Sequence, residues 1–342
     1  MKKILAALLS FCLLAGALSG CGSKDGLDPN NPVTLTMWHN YGGAMKETMV
    51  TLIDEFNNTV GRERGVIVNV ASIMASREQN EKLTMIADGT PGAPEMPDLV
   101  TAYPSMALTL HEAGLLAELD GYFTEGELEA FLPRFIEEGR LPDGKLYVFP
   151  VAKSTEALFV NKTFFDRFAA DTGVALDSLA TFEGIGAAAV KYCEWSGGKT
   201  FFTADSWFNI AQVGTAQLGG TFVGDASLNT EADAFKRIWD FSVLPAAVGA
   251  YAVVDGYSSD LYKTGEIVAC IGSTAGVLFY GDTVIYADNT DESIESIVLP
   301  YPVFEGGRKI ALQRGAGMVV AKSGPQKELA AAVFLKWLTA SE

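Results

Sequence analysis

The chain has 342 residues, with 25 Lys+Arg against 42 Asp+Glu and a formal net charge of −17. Half of it is apolar, and 20 Phe, 11 Tyr and 5 Trp supply enough surface to bury, which excludes disorder and suggests roughly two domains. The acidic balance argues against nucleic acid as a partner, and the two His and four Cys, without a Cys-x-x-Cys pair or a His-Glu-x-x-His run, argue against a metal site.

Residues 1–20 read as an export signal. Lys2 and Lys3 precede an apolar run over 4–18, too short to span a membrane comfortably, and small residues then precede Cys21. Residues 21–32, rich in Gly, Pro, Asp and Asn, read as a flexible tether. Cys193 and Cys270 could form a disulfide outside the cell, and equally fit as buried small apolar residues.

The first lobe is expected over 33–150. Residues 33–38 alternate as a strand, and Met45, Met49, Leu52, Ile53 and Phe56 follow at helical spacing. A second strand is expected over 66–70. Residues 76–79 read as a capping box before a helix, and residues 99–102 as a third strand. Strand–helix alternation argues for an α/β chain with a parallel sheet, whose ligands sit beyond the carboxyl ends of the strands. That rule picks out Trp38, Asn40, Tyr41, Arg77 and Tyr103 as candidate contacts.

Short strands are expected around 146–151 and 156–160, flanking Ser154 and Thr155. Residues 151–264 otherwise read as a second, mostly helical lobe. A helical pattern runs from Asp205 through Gln217, another is capped at Thr230, and a strand over 267–272 leads to a helix over 274–280. Part of 265–322 is expected to return to the first lobe. Residues 323–342 hold a last helix with Ala330, Val333, Phe334, Trp337 and Leu338 on one face.

Catalytic chemistry finds little support. Ser196 and Lys199 stand in a Ser-Gly-Gly-Lys turn rather than at a helix start, so a serine nucleophile is not aimed at the lysine. His39 follows a strand but has no companion Ser or Cys motif, and no carboxylate pair is placed for glycoside cleavage. A recognition surface remains, in which aromatic faces stack on sugar C–H groups and short polar side chains bind hydroxyls.

Several segments together resemble the family 1 extracellular solute-binding proteins, the receptors of carbohydrate ABC importers. The stretch ending at Cys21 resembles a lipobox, and 35–43 (LTMWHNYGG), Phe56 with Asn57, 97–100 (PDLV) and 114–119 (GLLAEL) follow in the family's order. So do 150–155 (PVAKST), 158–162 (LFVNK), 262–267 (YKTGEI) and 332–339 (AVFLKWLT). The resemblance implies a two-lobed periplasmic-binding-protein-like fold of type II, with a hinge of crossing strands and a ligand cleft between the lobes. It implies a lipid on Cys21, an extracytoplasmic location, an ABC permease as partner, and a sugar-like solute bound without cofactor or catalysis. Adding its ligand loops to the residues above gives Trp38, Asn40, Tyr41, Arg77, Tyr103, Ser154, Thr155, Asp205, Trp207, Ser273 and Gly315 as candidate contacts, with Trp38 and Trp207 standing free to stack.

Within the family the glycerol-3-phosphate receptors look nearest, and a glycerophosphodiester receptor is the alternative. Pro104 stands where those receptors are expected to carry an acidic residue, which counts against that ligand. A surface glycan hydrolase or a sensor lipoprotein are the readings from other classes. Relatives continue past the position of Glu342 with helices that complete the second lobe, so the 323–342 helix is expected to belong to a shortened second lobe and to leave apolar surface open.

Overall fold

The computed structural model describes residues 26–340, so the export signal and Cys21 lie outside the described residues. The contacts divide the chain into two compact units, one running to Ala152 and resuming at Ala316, the other spanning Lys153–Gly315.

The first unit is built on a five-stranded sheet. β1 (Val33–His39) pairs in parallel with β2 (Val66–Ile73) and β3 (Leu99–Ala102). The late strand β11 (Gly317–Val320) runs antiparallel to β3 and to the short β4 (Val148–Phe149), giving the order β2-β1-β3-β11-β4. The alternation of β1 decides its burial. Leu35 and Met37 pack with Ile53 and Phe56 from the Gly43–Asn58 helix, whereas Trp38 joins Val100 and Ala102 on the other face with Leu83 and Leu110. Side-chain pins fix the layers. Asn57 exchanges two hydrogen bonds with the backbone of Val68, at 2.9 and 2.8 Å, tying the helix to β2.

The Pro325–Leu338 helix belongs to this first unit, which corrects its expected place in the second lobe. Its Ala330–Leu335 stretch is buried against the sheet, and the Trp337 ring lies 5.3 Å from Phe56. The apolar face expected to be bare is thus packed: its spacing matches the groove beside β1, and burial of that face drives the docking.

Residues 151–264 of the second unit are largely helical, and they join strands from beyond 264. The unit holds a four-stranded sheet, β10 (Ser296–Leu299), β5 (Glu156–Asn161), β7 (Ala269–Ser273) and β6 (Phe202–Ala204), in that order. β6 and β7 are parallel, and β5 is antiparallel to β7. The carboxyl ends of β6 and β7 therefore lie at the same edge as the amino end of β5. A hairpin, β8 (Thr283–Ile285) with β9 (Asp291–Ser293), is separate from this sheet. Residues 265–315 stay with this unit, and only the chain from Ala316 returns to the first. An aromatic core of Phe168, Phe182, Phe202, Phe241 and Phe304 fills the space between the sheet and the Phe182–Ser196, Trp207–Gln217 and Asp233–Ala247 helices. The last of these starts at Asp233 with Ala232 as its cap, not at Thr230. Cys193 and Cys270 are both free, so the disulfide is not formed.

Candidate functional site

In the first unit, four polar residues meet at the ends of β1 and β3, with Thr101 at their centre. The Thr101 hydroxyl donates to Asn40 Oδ1 at 3.0 Å and accepts from the Asn40 backbone N–H at 3.2 Å and from Gln79 Nε2 at 3.1 Å. Asn40 Nδ2 donates to Ser76 Oγ at 2.7 Å. The expected capping box of residues 76–79 does not form, because its polar groups are drawn here; Ala75 is the helix cap and makes no side-chain bond.

His39 is fully buried, and its Nδ1 accepts from the Tyr41 N–H at 3.3 Å, which leaves the proton on Nε2. Burial, then the nearby Lys46 charge, push its pKa down, so the ring is neutral at ordinary pH. The Tyr41 phenol is pushed up to about 12 by burial and then by Tyr103. His39 Nε2, Tyr41 Oη and Gln79 Oε1 are buried polar atoms with no hydrogen-bond partner among the described residues.

Of the other first-unit nominees, Tyr103 sits half-buried at the start of the Pro104–Glu112 helix, where Pro104 occupies the first turn. Trp38 is packed into the core and does not stand free to stack, because its face of β1 is covered by Leu83 and Leu110. The Arg77 side chain lies on the outer face of the Ser76–Ala87 helix, 89% exposed and paired with Glu81 at 3.4 Å, away from the Thr101 group.

In the second unit the sheet edge described above gathers Ser154, Thr155, Asp205 and Ser273. Ser273 Oγ donates to Ser154 Oγ at 3.2 Å, and the Thr155 N–H donates to Thr274 Oγ1 at 3.1 Å. Asp205 Oδ1 accepts from the Ser258 N–H at 2.9 Å, and Ser258 Oγ lies 3.0 Å from Tyr280 Oη. Gly272 is required beneath this group, since a Cβ there would come within 2.3 Å of Tyr280 Oη. Gly315 has a φ of +100° and its carbonyl accepts from Lys153 Nζ at 2.9 Å. Trp207 is half-buried among Phe202, Tyr251 and Phe241, so it too is seated in the core margin, with its indole Nε1 buried and unpartnered.

The sequence reasoning passed over the charged centre of this group. Glu156 opens β5 with 2% of its surface exposed; its Oε1 accepts from Arg314 Nη1 at 2.8 Å and from Asn209 Nδ2 at 2.7 Å, while Oε2 has no partner. Burial pushes its pKa up against the opposing pull of Asn209 and Arg314. A lone carboxylate heading the apolar run 157–160 was the signal that could have found it.

Solved structures resemble the whole fold. The acarbose-binding GacH receptor of Streptomyces glaucescens is 21% identical, with a TM-score of 0.68 over 90% of this chain and 76% of that one. The cyclic α-maltosyl-1,6-maltose binding protein of Arthrobacter globiformis is 19% identical, with a TM-score of 0.67 over 90% and 75%. UgpB of Mycobacterium tuberculosis, solved with glycerophosphocholine, is 15% identical, with a TM-score of 0.71 over 91% and 75%. A search of curated proteins by sequence gave no match. The sequence profile of the bacterial extracellular solute-binding proteins matches residues 51–342, and the chain belongs to that family.

Proposed function

We propose that this protein is the extracytoplasmic receptor of an ABC importer, that it captures a sugar or oligosaccharide, and that it hands the solute to a membrane permease without altering it. The observation that carries the reading is family membership over 51–342, and the location outside the cytoplasm goes with the family. Each unit offers a group of polar side chains at a sheet edge, hydroxyls and amides around Thr101 in one, and the hydroxyls of Ser154, Thr155 and Ser273 with the Asp205 carboxylate in the other. Hydroxyl and amide groups beside a carboxylate suit the hydroxyl groups of a sugar. Cys21 carries a lipid in this reading, supported by the small residues before it.

The binding of acarbose and a cyclic maltosyl-maltose by structures of the same fold supports a carbohydrate. UgpB with its glycerophosphocholine supports the second reading, a glycerophosphodiester receptor. The charge pattern favours the sugar: Arg314 is already neutralised by Glu156, and Arg77 is turned to solvent beside Glu81. A thermal-shift panel of sugars, oligosaccharides and glycerophosphocholine tests this, because a solute that binds only the folded state raises the melting temperature. A rise with a carbohydrate is expected. A rise with glycerophosphocholine alone would move the assignment to the second reading. The anchor is tested separately: Cys21→Ala should move the protein out of the membrane fraction, and unchanged retention there would contradict it.

A further inference from the structure

The chain leaves the second unit at two places, after Gly315 and before Lys153. Just inside those exits the two segments are bonded to each other. The Ser154 N–H donates to Arg314 O at 2.9 Å and the Arg314 N–H donates to Ser154 O at 2.7 Å, an isolated antiparallel bridge. Thr155 Oγ1 donates to Leu312 O at 2.8 Å and Lys153 Nζ to Gly315 O at 2.9 Å. The bridge is one residue pair long, so its backbone bonds alone would hold it weakly. The charged contact beside it is the Arg314 guanidinium on the buried Glu156 carboxylate.

We propose that Glu156 is the positioning group of this paired element: by gripping Arg314 from the first residue of β5, it holds segments 153–156 and 312–315 in one register, and it lets go when protonated. The inference deepens the receptor reading and rests on it in one respect, that Ser154, Thr155 and Gly315, which the grip positions, belong to the binding surface.

Four groups face the carboxylate. Arg314 and Asn209 hold Oε1, Asp205, at the end of β6, acts on it through charge, and the buried Tyr301 phenol, following β10, is neutral and is itself held protonated by burial and by the Glu156 charge. Arg314 is the one cation among them. A neutral carboxyl would keep a hydrogen bond at most and lose the attraction, and a charge-assisted bond is roughly twice as strong as a neutral one. Burial raises the affinity of Glu156 for a proton, so the grip gives way at a higher pH than an ordinary glutamate would titrate. Oε2, which has no hydrogen-bond partner among the described residues, is the oxygen free to take that proton.

Amide hydrogen exchange at Ser154 and Arg314, measured without solute and corrected for intrinsic rates, tests the proposal independently of any ligand. In Glu156→Gln, a near-isosteric change that removes the charge and keeps one acceptor oxygen, both amides should exchange at least about fivefold faster at neutral pH, the size expected when one charge-assisted bond is lost. The amides of Val100 and Val319 in the first unit should not change. In the wild type, protection of the same two amides should fall towards the variant's level as the pH is lowered through the raised range, and the variant should lack that step. Arg314→Gln leaves the carboxylate in place and should give the same loss of protection if Glu156→Gln folds poorly. Unchanged protection of both amides in the two variants, or a wild-type acid step that persists in Glu156→Gln, would overturn the proposal. Failure to find a solute would leave these results standing and would count against the receptor reading alone.

Discussion

Among the described residues each unit buries one carboxylate at its sheet, and the two are treated in opposite ways. Asp98, just before β3, has both oxygens engaged: Oδ2 accepts from the Thr36 N–H at 2.8 Å and from its hydroxyl at 2.9 Å, and Oδ1 from Lys327 Nζ at 2.8 Å. Glu156 has two donors on one oxygen and none on the other. Burial opposes the charge in both cases. For Asp98 the bonds from Lys327 and Thr36 outweigh it and the pKa falls; for Glu156 burial wins and the pKa rises. Glu156 lies deeper, has one oxygen unbonded and faces Asp205, whereas Asp98 has both oxygens bonded and a lysine on one of them, and these differences together set the opposite directions.

The comparison can be broken from either side. The largest effect is expected for Arg314→Met, which leaves the Glu156 charge buried with only Asn209; the second unit should lose about 3 kcal/mol in chemical denaturation, less if the carboxyl simply takes up a proton. A loss near zero would mean that the pair is worth no more than a surface contact. Asp98→Asn should cost about 1–2 kcal/mol, because the amide cannot serve both Thr36 donors and the Lys327 ammonium at charged strength. Lys327→Met, where the ammonium is half-exposed, should cost under about 1 kcal/mol and move the Asp98 titration upward without unfolding the first unit.

The signs with pH should also differ. Asp98 has a lowered pKa when folded, so its contribution is present above the unfolded value and is lost as the pH falls through the folded one. Glu156 has a raised pKa when folded, so its contribution is full below the unfolded value and is lost as the pH rises through the folded one. Acidification should therefore weaken the first unit through Asp98 while the second unit gains through Glu156, even as the Arg314 grip loosens locally. Carboxylate chemical shifts followed by NMR across the acid range would show the two titrations on opposite sides of the ordinary values. Coincident midpoints would remove the contrast.

Much of the first unit was legible because its signals are periodic. Alternation along 33–38 and the 3.6-residue spacing of Met49, Ile53 and Phe56 depend on the local chain alone. The family motifs were legible as a set but not for what each residue does. Asn57 pins a helix to β2, Asp98 pins β1, and Asn161 caps the Lys162–Thr172 helix by accepting from the Phe164 N–H at 3.0 Å. Trp38 shows the limit of arguing from position at a strand end: its ring falls on the face of β1 opposite Leu35 and Met37, and that face is covered as well, by Leu83 and Leu110, which the local pattern does not report. The pairing of Glu156 with Arg314 was missed for a related reason. The two are 158 residues apart, and no local pattern reports an ion pair across that separation.

The central claim is that the molecule binds a carbohydrate and does nothing else to it. Isothermal titration with acarbose, linear and cyclic maltooligosaccharides and glycerophosphocholine, followed by mass spectrometry of the solute after prolonged incubation, tests it most directly. The account predicts saturable one-to-one binding of at least one carbohydrate, with the solute recovered intact. Cleaved product that vanishes on substituting a single acid, or binding of glycerophosphocholine with no carbohydrate bound, would contradict it.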